Sequence, residues 1–382
     1  MLSGKLYLYN GIAKTYLLGK TGPGIYDLHL FPVHTIETQK GDFYWKIATD
    51  NRTLSKKSMH YHDSMQTRAF LVIKDDTILY EHYWDQHDEN RVSNSFSMAK
   101  TIVSLLLGVA LDEGKIESLE EPVAKYIDRF KYNARAELTI KQVLTMSAGF
   151  DWEESGINPL SETAEAYYGS NLERLVTTQQ IIEPPGKVFH YQSGNTQLLA
   201  MIIEKATGVT ISEYAEEKIW KKIGSENEAF WSLDKENGDE KAYCCFYATA
   251  RDFARLGRLL LKKGNWEGVQ VVSAEYIEEM FKVQSELRTK DEIENAVYSY
   301  QFWIYNNFNK PMYYFRGLLG QYIMILPSEN TVVVRLGEKT EKNLKLHRVA
   351  LFPDKKNNFD FLVGHSLDIL KYLEMKSEIN NQ

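Results

Sequence analysis

Apolar and polar positions divide this chain into stretches of different character. Ala69-Phe70-Leu71-Val72-Ile73, the acidic pair Asp75-Asp76 and the run Thr77–Tyr83 read as a β-hairpin with an acidic turn. Helical signals then dominate from Ser97 to about Ala242. The first helix carries Ile102, Val103, Leu105, Leu106, Leu107, Val109, Ala110 and Leu111, apolar almost all round, and stops at Asp112-Glu113-Gly114-Lys115. That pattern predicts a fully buried core helix. Further helices are expected at Val123–Tyr132, Ile140–Met146, Gln197–Thr207 (ended by Gly208), Phe253–Lys263 (ended by Gly264) and 272–282. Strand patterning returns at Tyr298–Tyr305, Met312–Phe315, Gln321–Leu326 and Thr331–Leu336, followed by a last helix at about 359–375.

Strands at both ends around a helical middle predict an α+β fold, an antiparallel β-sheet flanked by helices with an inserted, mostly helical lobe. Residues 1–64, irregular and punctuated by Gly22-Pro23-Gly24, are expected to form an N-terminal extension. Residues 65–96 and 243–382 then make the sheet lobe and 97–242 the helical lobe, with a site at their interface.

Composition narrows the function classes. The 382 residues carry a net charge of −7 with both signs interspersed, so no basic stripe for nucleic acid is present. Cys244 and Cys245 are adjacent, which excludes a disulfide scaffold and a cysteine zinc site. His60-x-His62, two histidines on one face if the segment is a strand, lacks a third ligand set, so neither metal nor cofactor is expected. No stretch is long and apolar enough to span a membrane, and the N-terminus lacks the continuous apolar run of an export signal. The chain as given is expected to be soluble: periplasmic or exported if a signal or anchor precedes it, otherwise cytoplasmic. Its oligomeric state is not legible.

Candidate chemistry begins at Ser97-Met98-Ala99-Lys100. Residues i and i+3 share a helix face, so a serine in the first turn has the lysine amine beside its hydroxyl. The helix N-terminus favours negative charge on that oxygen, and a desolvated lysine loses its proton readily enough to act as a base. Chance alone supplies about one or two such spacings in a chain of this length. Ser232-Leu233-Asp234-Lys235 also fits, but it lies in a polar stretch and opens no apolar helix. Taken alone, Ser97 could equally be a helix N-cap and Lys100 a surface charge.

A second motif tips that balance. Glu183-Pro184-Pro185-Gly186 makes a rigid turn that leads to Tyr191-Gln192-Ser193-Gly194-Asn195 and then to a helix rich in Leu, Ile and Ala. A buried tyrosine near a lysine can carry a proton to a leaving group. Together these motifs resemble the β-lactamase-related serine hydrolase superfamily, which includes class C β-lactamases, D-alanyl-D-alanine carboxypeptidases, related esterases and 6-aminohexanoate-dimer hydrolases. Leu144–Phe150, Ala248–Gly257, Gly320–Pro327 and Val332–Gly337 extend the resemblance over about residues 65–340. It leans toward the aminohexanoate-hydrolase-like branch.

The resemblance implies a β-lactamase/transpeptidase-like fold with Ser97 as nucleophile, Lys100 as base and Tyr191 as acid/base. It also implies an oxyanion hole from the backbone N–H groups of Ser97 and Leu318. The third family motif is altered: Phe315-Arg316-Gly317 stands where Lys-Thr-Gly or His-x-Gly is usual. Gly317 still permits close backbone approach, and Arg316 would either supply the displaced charge or form a structural ion pair. Ser193 occupies the usual Asn position and would bond Lys100 or substrate, and Trp152, just after the Ser147–Phe150 segment, either lines the cleft or is buried by packing. Both altered positions point to a small-molecule ester or amide substrate rather than a β-lactam. A D-alanyl-D-alanine carboxypeptidase or weak β-lactamase, and a non-catalytic binder of peptidoglycan-like ligands, remain as alternatives.

Overall fold

The computed structural model describes residues 5–306, 310–341 and 365–382. Its elements run α1 (Tyr7–Lys14), β1 (Val33–Ile36), β2 (Lys46–Ile47), α2 (Lys56–Ser64), β3 (Thr67–Lys74), β4 (Thr77–Tyr83) and β5 (Ser93–Asn94). Then come α3 (Ala99–Asp112), α4 (Ile140–Leu144), α5 (Glu162–Tyr168), α6 (Leu172–Thr177), α7 (Ser193–Thr207), α8 (Ile211–Ala215), β6 (Ala229–Ser232) and β7 (Phe246–Ala248). The remainder is α9 (Ala250–Leu261), β8 (Asn265–Trp266), β9 (Val269–Gln270), α10 (Ala274–Met280), β10 (Trp303–Tyr305), β11 (Met312–Gly317), β12 (Gln321–Leu326), β13 (Thr331–Gly337) and α11 (Asp368–Asn380).

The main sheet has the order β10-β11-β12-β13-β3-β4-β2, antiparallel except where β2 joins β4. Its centre joins the two ends of the chain, because β13 pairs with β3 in the register Val332↔Ile73 and Val334↔Leu71. Side chains alternate across the strands. Leu71, Ile73, Ile323, Ile325, Val332 and Val334 enter the larger core, with α3 and α9. Phe70, Val72, Tyr314, Tyr322, Met324 and Val333 pack on Ile369, Tyr372, Met375 and Ile379 of α11. The α9 backbone comes close to the sheet at Gly257, where a Cβ would sit 2.7 Å from Val332. This is the α+β architecture that the strand–helix–strand order predicts.

α3 is buried from Ala99 to Ala110, as a helix without a polar face requires. A buried Gln301 ties it to its neighbours. Thr101 Oγ1 donates to the Gln301 carbonyl at 2.8 Å, Thr196 Oγ1 of α7 to its side-chain oxygen at 2.6 Å, and Gln301 Nε2 to the Leu144 carbonyl at 2.8 Å. Such a fully satisfied network fixes the relative positions of α3, α4 and α7.

Several elements differ from the sequence expectation. The first 64 residues contain α1, β1, β2 and α2. β1 joins a second sheet in the order β1-β6-β7-β5, whose β6 falls within the stretch read as helical. Strands of two to four residues are too short to show alternation. His60 and His62 lie on α2, where an i,i+2 pair does not share a face, and His62 is buried against Phe70 and Trp84. The Val123–Tyr132 helix is two 3-10 turns separated by an extended Ile127. The strand expected from Tyr298 begins only at Trp303, after Gln301 turns the chain at φ +54°. Of the helix expected at 359–375, residues 359–364 lie outside the described residues, and α11 begins at Asp368. Among the described residues no helix is long and apolar enough to cross a membrane.

Arg335 on β13 links this frame to the site. Fully buried, it donates to the carbonyls of Leu319 and Gly320 at 2.8 Å each, to Met65 O at 2.6 Å and to Thr67 Oγ1 at 3.3 Å. Arg335→Met strands these acceptors and is expected to lower stability by about 3 kcal/mol. Urea unfolding checks this; an unchanged midpoint would show that the turn at Leu318–Gly320 does not depend on the guanidinium.

Candidate active site

The site begins at a strained turn. Phe96 has φ +44°, a region that an aromatic residue rarely enters. It is held there by its own N–H on Asn94 Oδ1 at 2.8 Å, and by the Ser95 N–H on the Phe246 carbonyl at 2.8 Å. One 3-10 turn, Phe96–Met98, then runs into α3 and sets Ser97, half-buried, at its head. Lys100 is buried, and its Nζ donates to Ser97 Oγ at 3.0 Å and to the Tyr243 carbonyl at 2.9 Å. It faces the rings of Tyr191 and Tyr243 at 5.0 and 5.6 Å. Burial pulls the amine pKa down to about 8, with the Glu154 carboxylate opposing.

Tyr191 sits on the extended segment before α7 and shares a side-chain hydrogen bond with Ser97. Burial and Glu154 push the phenol above its ordinary value, while Ser97 and the Arg316 charge pull it back. Tyr298 and Trp303 flank its ring, each at 5.7 Å. The segment is anchored from behind: the His190 N–H donates to Met146 O at 2.8 Å, and Gln192 Nε2 to the carbonyls of Phe150 and Trp152 at 2.8 and 2.9 Å. The structure thus brings Ser97, Lys100 and Tyr191 into one cluster.

β11 supplies the opposite wall. Alternation turns Phe315 into the larger core and Arg316 to the other face. There Arg316 lies over the Trp303 ring at 4.9 Å and bonds the Tyr314 side chain. Gly317 meets the nucleophile turn: a Cβ there would overlap the Ser95 carbonyl oxygen. That approach brings the strand end, and the Leu318 turn that follows it, against the Ser95–Ser97 backbone. Leu319 has φ +63°, and the Leu318 side chain is exposed.

A buried amine on a hydroxyl, a phenol on the same hydroxyl and a close backbone turn are the parts that nucleophilic acyl transfer needs. Comparison with known proteins agrees with this. The Beta-lactamase family model matches residues 58–350. The chain belongs to the beta-lactamase family. A 6-aminohexanoate-dimer hydrolase of Paenarthrobacter ureafaciens is 28% identical over 286 residues, covering 71% of this chain and 72% of the relative. A Bacillus anthracis structure provisionally named 6-aminohexanoate-dimer hydrolase has a TM-score of 0.72 at 25% identity, covering 81% of this chain and 86% of that one. A family VIII carboxylesterase shares the fold, with a TM-score of 0.63 at 15% identity and coverage of 86% and 99%. This member of the beta-lactamase family is a serine hydrolase.

Other residues fall elsewhere than the sequence suggested. The Ser193 hydroxyl donates to Glu154 Oε1 and its N–H to Glu154 Oε2, both at 2.7 Å, so its partner is Glu154 and not Lys100. Trp152 is buried beneath Gly194, where a Cβ would lie 2.6 Å from the indole, so it supports α7 rather than lining an open cleft. Ser232 is buried on β6 and Lys235 lies outside any helix, in keeping with the reading that this second spacing opens no apolar helix.

Two contributors carried no sequence signal. One is the Tyr243 backbone carbonyl and the other is Glu154, in an ordinary polar run. Cys244 and Cys245, which sequence reading excluded as a staple, are bonded to each other in the turn that presents Tyr243. Trp231 Nε1 steadies that turn by donating to the Cys244 carbonyl at 2.9 Å.

Gly317→Ala places a methyl group against Ser95 O and forces the strand end from the nucleophile turn. The expected result is a stability loss of about 2 kcal/mol and at least about tenfold slower ester hydrolysis. Urea titration and p-nitrophenyl ester assays check this; wild-type values in both would mean that the close approach is dispensable.

Proposed function

We propose that this chain hydrolyses small esters and amides through an acyl-enzyme formed on Ser97. The observation that carries the reading is the buried Lys100 amine, 3.0 Å from Ser97 Oγ. With a pKa of about 8, roughly a tenth of that amine is neutral at pH 7. An ordinary lysine would be neutral in about one molecule in 3,000, so burial raises the reactive fraction about 300-fold.

Neutral Lys100 accepts the Ser97 proton as Oγ attacks the carbonyl carbon, and the N–H groups of Ser97 and Leu318 receive the oxyanion. The tetrahedral intermediate collapses as Tyr191, coupled to Ser97 and Lys100, gives a proton to the departing alcohol or amine. Water then attacks the acyl-enzyme with Tyr191 and Lys100 taking its proton, and Ser97 is regenerated.

Substrate choice follows from the third wall. Phe315 is in the core at the position where the family resemblance implies a cation, and the Ser193 hydroxyl is engaged by Glu154. Both weaken recognition of a β-lactam carboxylate and favour neutral ester or small-amide substrates. The 6-aminohexanoate-dimer hydrolase among the relatives supports linear amides within that class. Arg316, whose charge reaches Tyr191, favours a second reading, a D-alanyl-D-alanine carboxypeptidase or weak β-lactamase.

A fluorophosphonate is expected to add once, at Ser97, and Ser97→Ala to abolish both adduct and turnover by intact-protein mass spectrometry and ester assay. A penicillin adduct at Ser97 would favour the second reading, and no adduct from either reagent would favour a non-catalytic binder. The pH profile tests the base separately. Lys100 must be neutral, so kcat/KM is expected to rise about tenfold per pH unit below pH 8 and level off above it. Lys100→Arg, which stays charged, is expected to lose about 10³-fold; full activity in that variant would remove Lys100 from the role of base.

A further inference from the structure

Behind the Ser97–Lys100–Tyr191 cluster lies a carboxylate that the mechanism above does not use. Glu154 accepts the Ser193 N–H and hydroxyl at 2.7 Å each, Trp152 Nε1 at 2.9 Å and Thr163 Oγ1 at 3.2 Å. These donors come from two separate pieces of chain. Trp152 lies within the connection between α4 and α5, Thr163 lies in the first turn of α5, and Ser193 opens α7 two residues after Tyr191. The carboxylate also lies at the N-terminus of a 15-residue helix. The Thr163 hydroxyl proton is shared between Glu154 and the Glu153 carbonyl, the latter at 3.0 Å.

We infer that Glu154 is a positioning residue for this reaction, clamping the 152–163 loop to the first turn of α7 and thereby holding Tyr191 over Ser97 and Lys100. The kinetic consequence rests on the acyl-enzyme reading; the clamp itself does not. A carboxylate so placed also contributes charge. Around Lys100 the titratable and charged groups are Tyr191, Tyr243, Glu154 and, beyond Tyr191, Arg316. Glu154 is the anion among them, and it favours the protonated amine. Removing its charge therefore lowers the Lys100 pKa and moves the acid limb of the rate profile to lower pH.

Glu154→Gln, Glu154→Asp and Glu154→Ala separate geometry from charge. Two readouts are followed: kcat/KM for a p-nitrophenyl ester between pH 6 and 10, and hydrogen exchange of the peptide 190–196. For Glu154→Gln the expected result is at least about a tenfold loss of kcat/KM on the alkaline plateau, with an acid limb displaced to lower pH. Glu154→Asp keeps the charge but shortens the reach, so it is expected to lose rate with its limb near that of wild type. Glu154→Ala is expected to exchange at 190–196 at least about tenfold faster, with α9 and the main sheet unchanged. If Glu154→Ala does not fold, Glu154→Gln carries the exchange test.

Wild-type rate, limb and exchange in Glu154→Gln and Glu154→Ala would overturn the inference. Lost stability with an unmoved limb and unchanged plateau rate would reduce Glu154 to a packing role and overturn it equally. If wild-type protein fails to label at Ser97, the acyl-enzyme reading falls, and the exchange at 190–196 still decides the clamp.

Discussion

Everything at this site depends on a lysine amine held out of water. Lys100 sits on a helix with no polar face, and its Nζ donates to Ser97 Oγ and the Tyr243 carbonyl. Neither acceptor is an anion, so nothing in direct contact offsets the loss of hydration of an ammonium, and its pKa falls to about 8. The sign of the linked stability follows. A depressed lysine pKa means that the unfolded chain binds the proton more tightly, so stability rises with pH between about 8 and 10.5. Below that window the buried ammonium costs about 3 kcal/mol, a large fraction of ordinary domain stability. A fold that tolerates such a cost needs a rigid frame around the amine.

The frame supplies that rigidity from both ends of the chain. β13 against β3 closes the main sheet, and Arg335 from β13 braces the turn that follows β11. Gly317 lets that turn press on the Ser95 carbonyl, while Gln301 locks α3 to α7. The positive φ of Phe96 is held by its own N–H on Asn94 and by the Ser95 N–H on Phe246, so the backbone strain beside the proposed nucleophile is offset by the surrounding structure.

Much of this was legible in the sequence, and the physical reason differs from part to part. α3 was readable because an apolar run without a polar face admits one environment. The Ser97–Lys100 spacing was readable because i and i+3 share a helix face. The strand–helix–strand order indicated the α+β class through connectivity alone. The second sheet was hidden because its strands span two to four residues. The partner of Lys100 was hidden because it is a backbone carbonyl, which carries no residue identity. Glu154 was hidden because a glutamate in a polar loop looks the same whether solvated or bonded by four donors. Ser193 was placed by analogy of position, and Trp152 was left open between cleft and core. Their side chains follow local geometry instead, converging on Glu154.

Whether Lys100 can serve as the base is decided most directly by titrating its ε-amine. Protein carrying ¹⁵N-labelled lysine, with Lys100→Arg to assign the resonance, reports that amine by NMR without reference to any substrate. A titration midpoint near 8 is expected for an amine buried in this way. A midpoint near the ordinary lysine value of about 10.4 would contradict that role, because the amine would then remain protonated at neutral pH and could not accept the Ser97 proton.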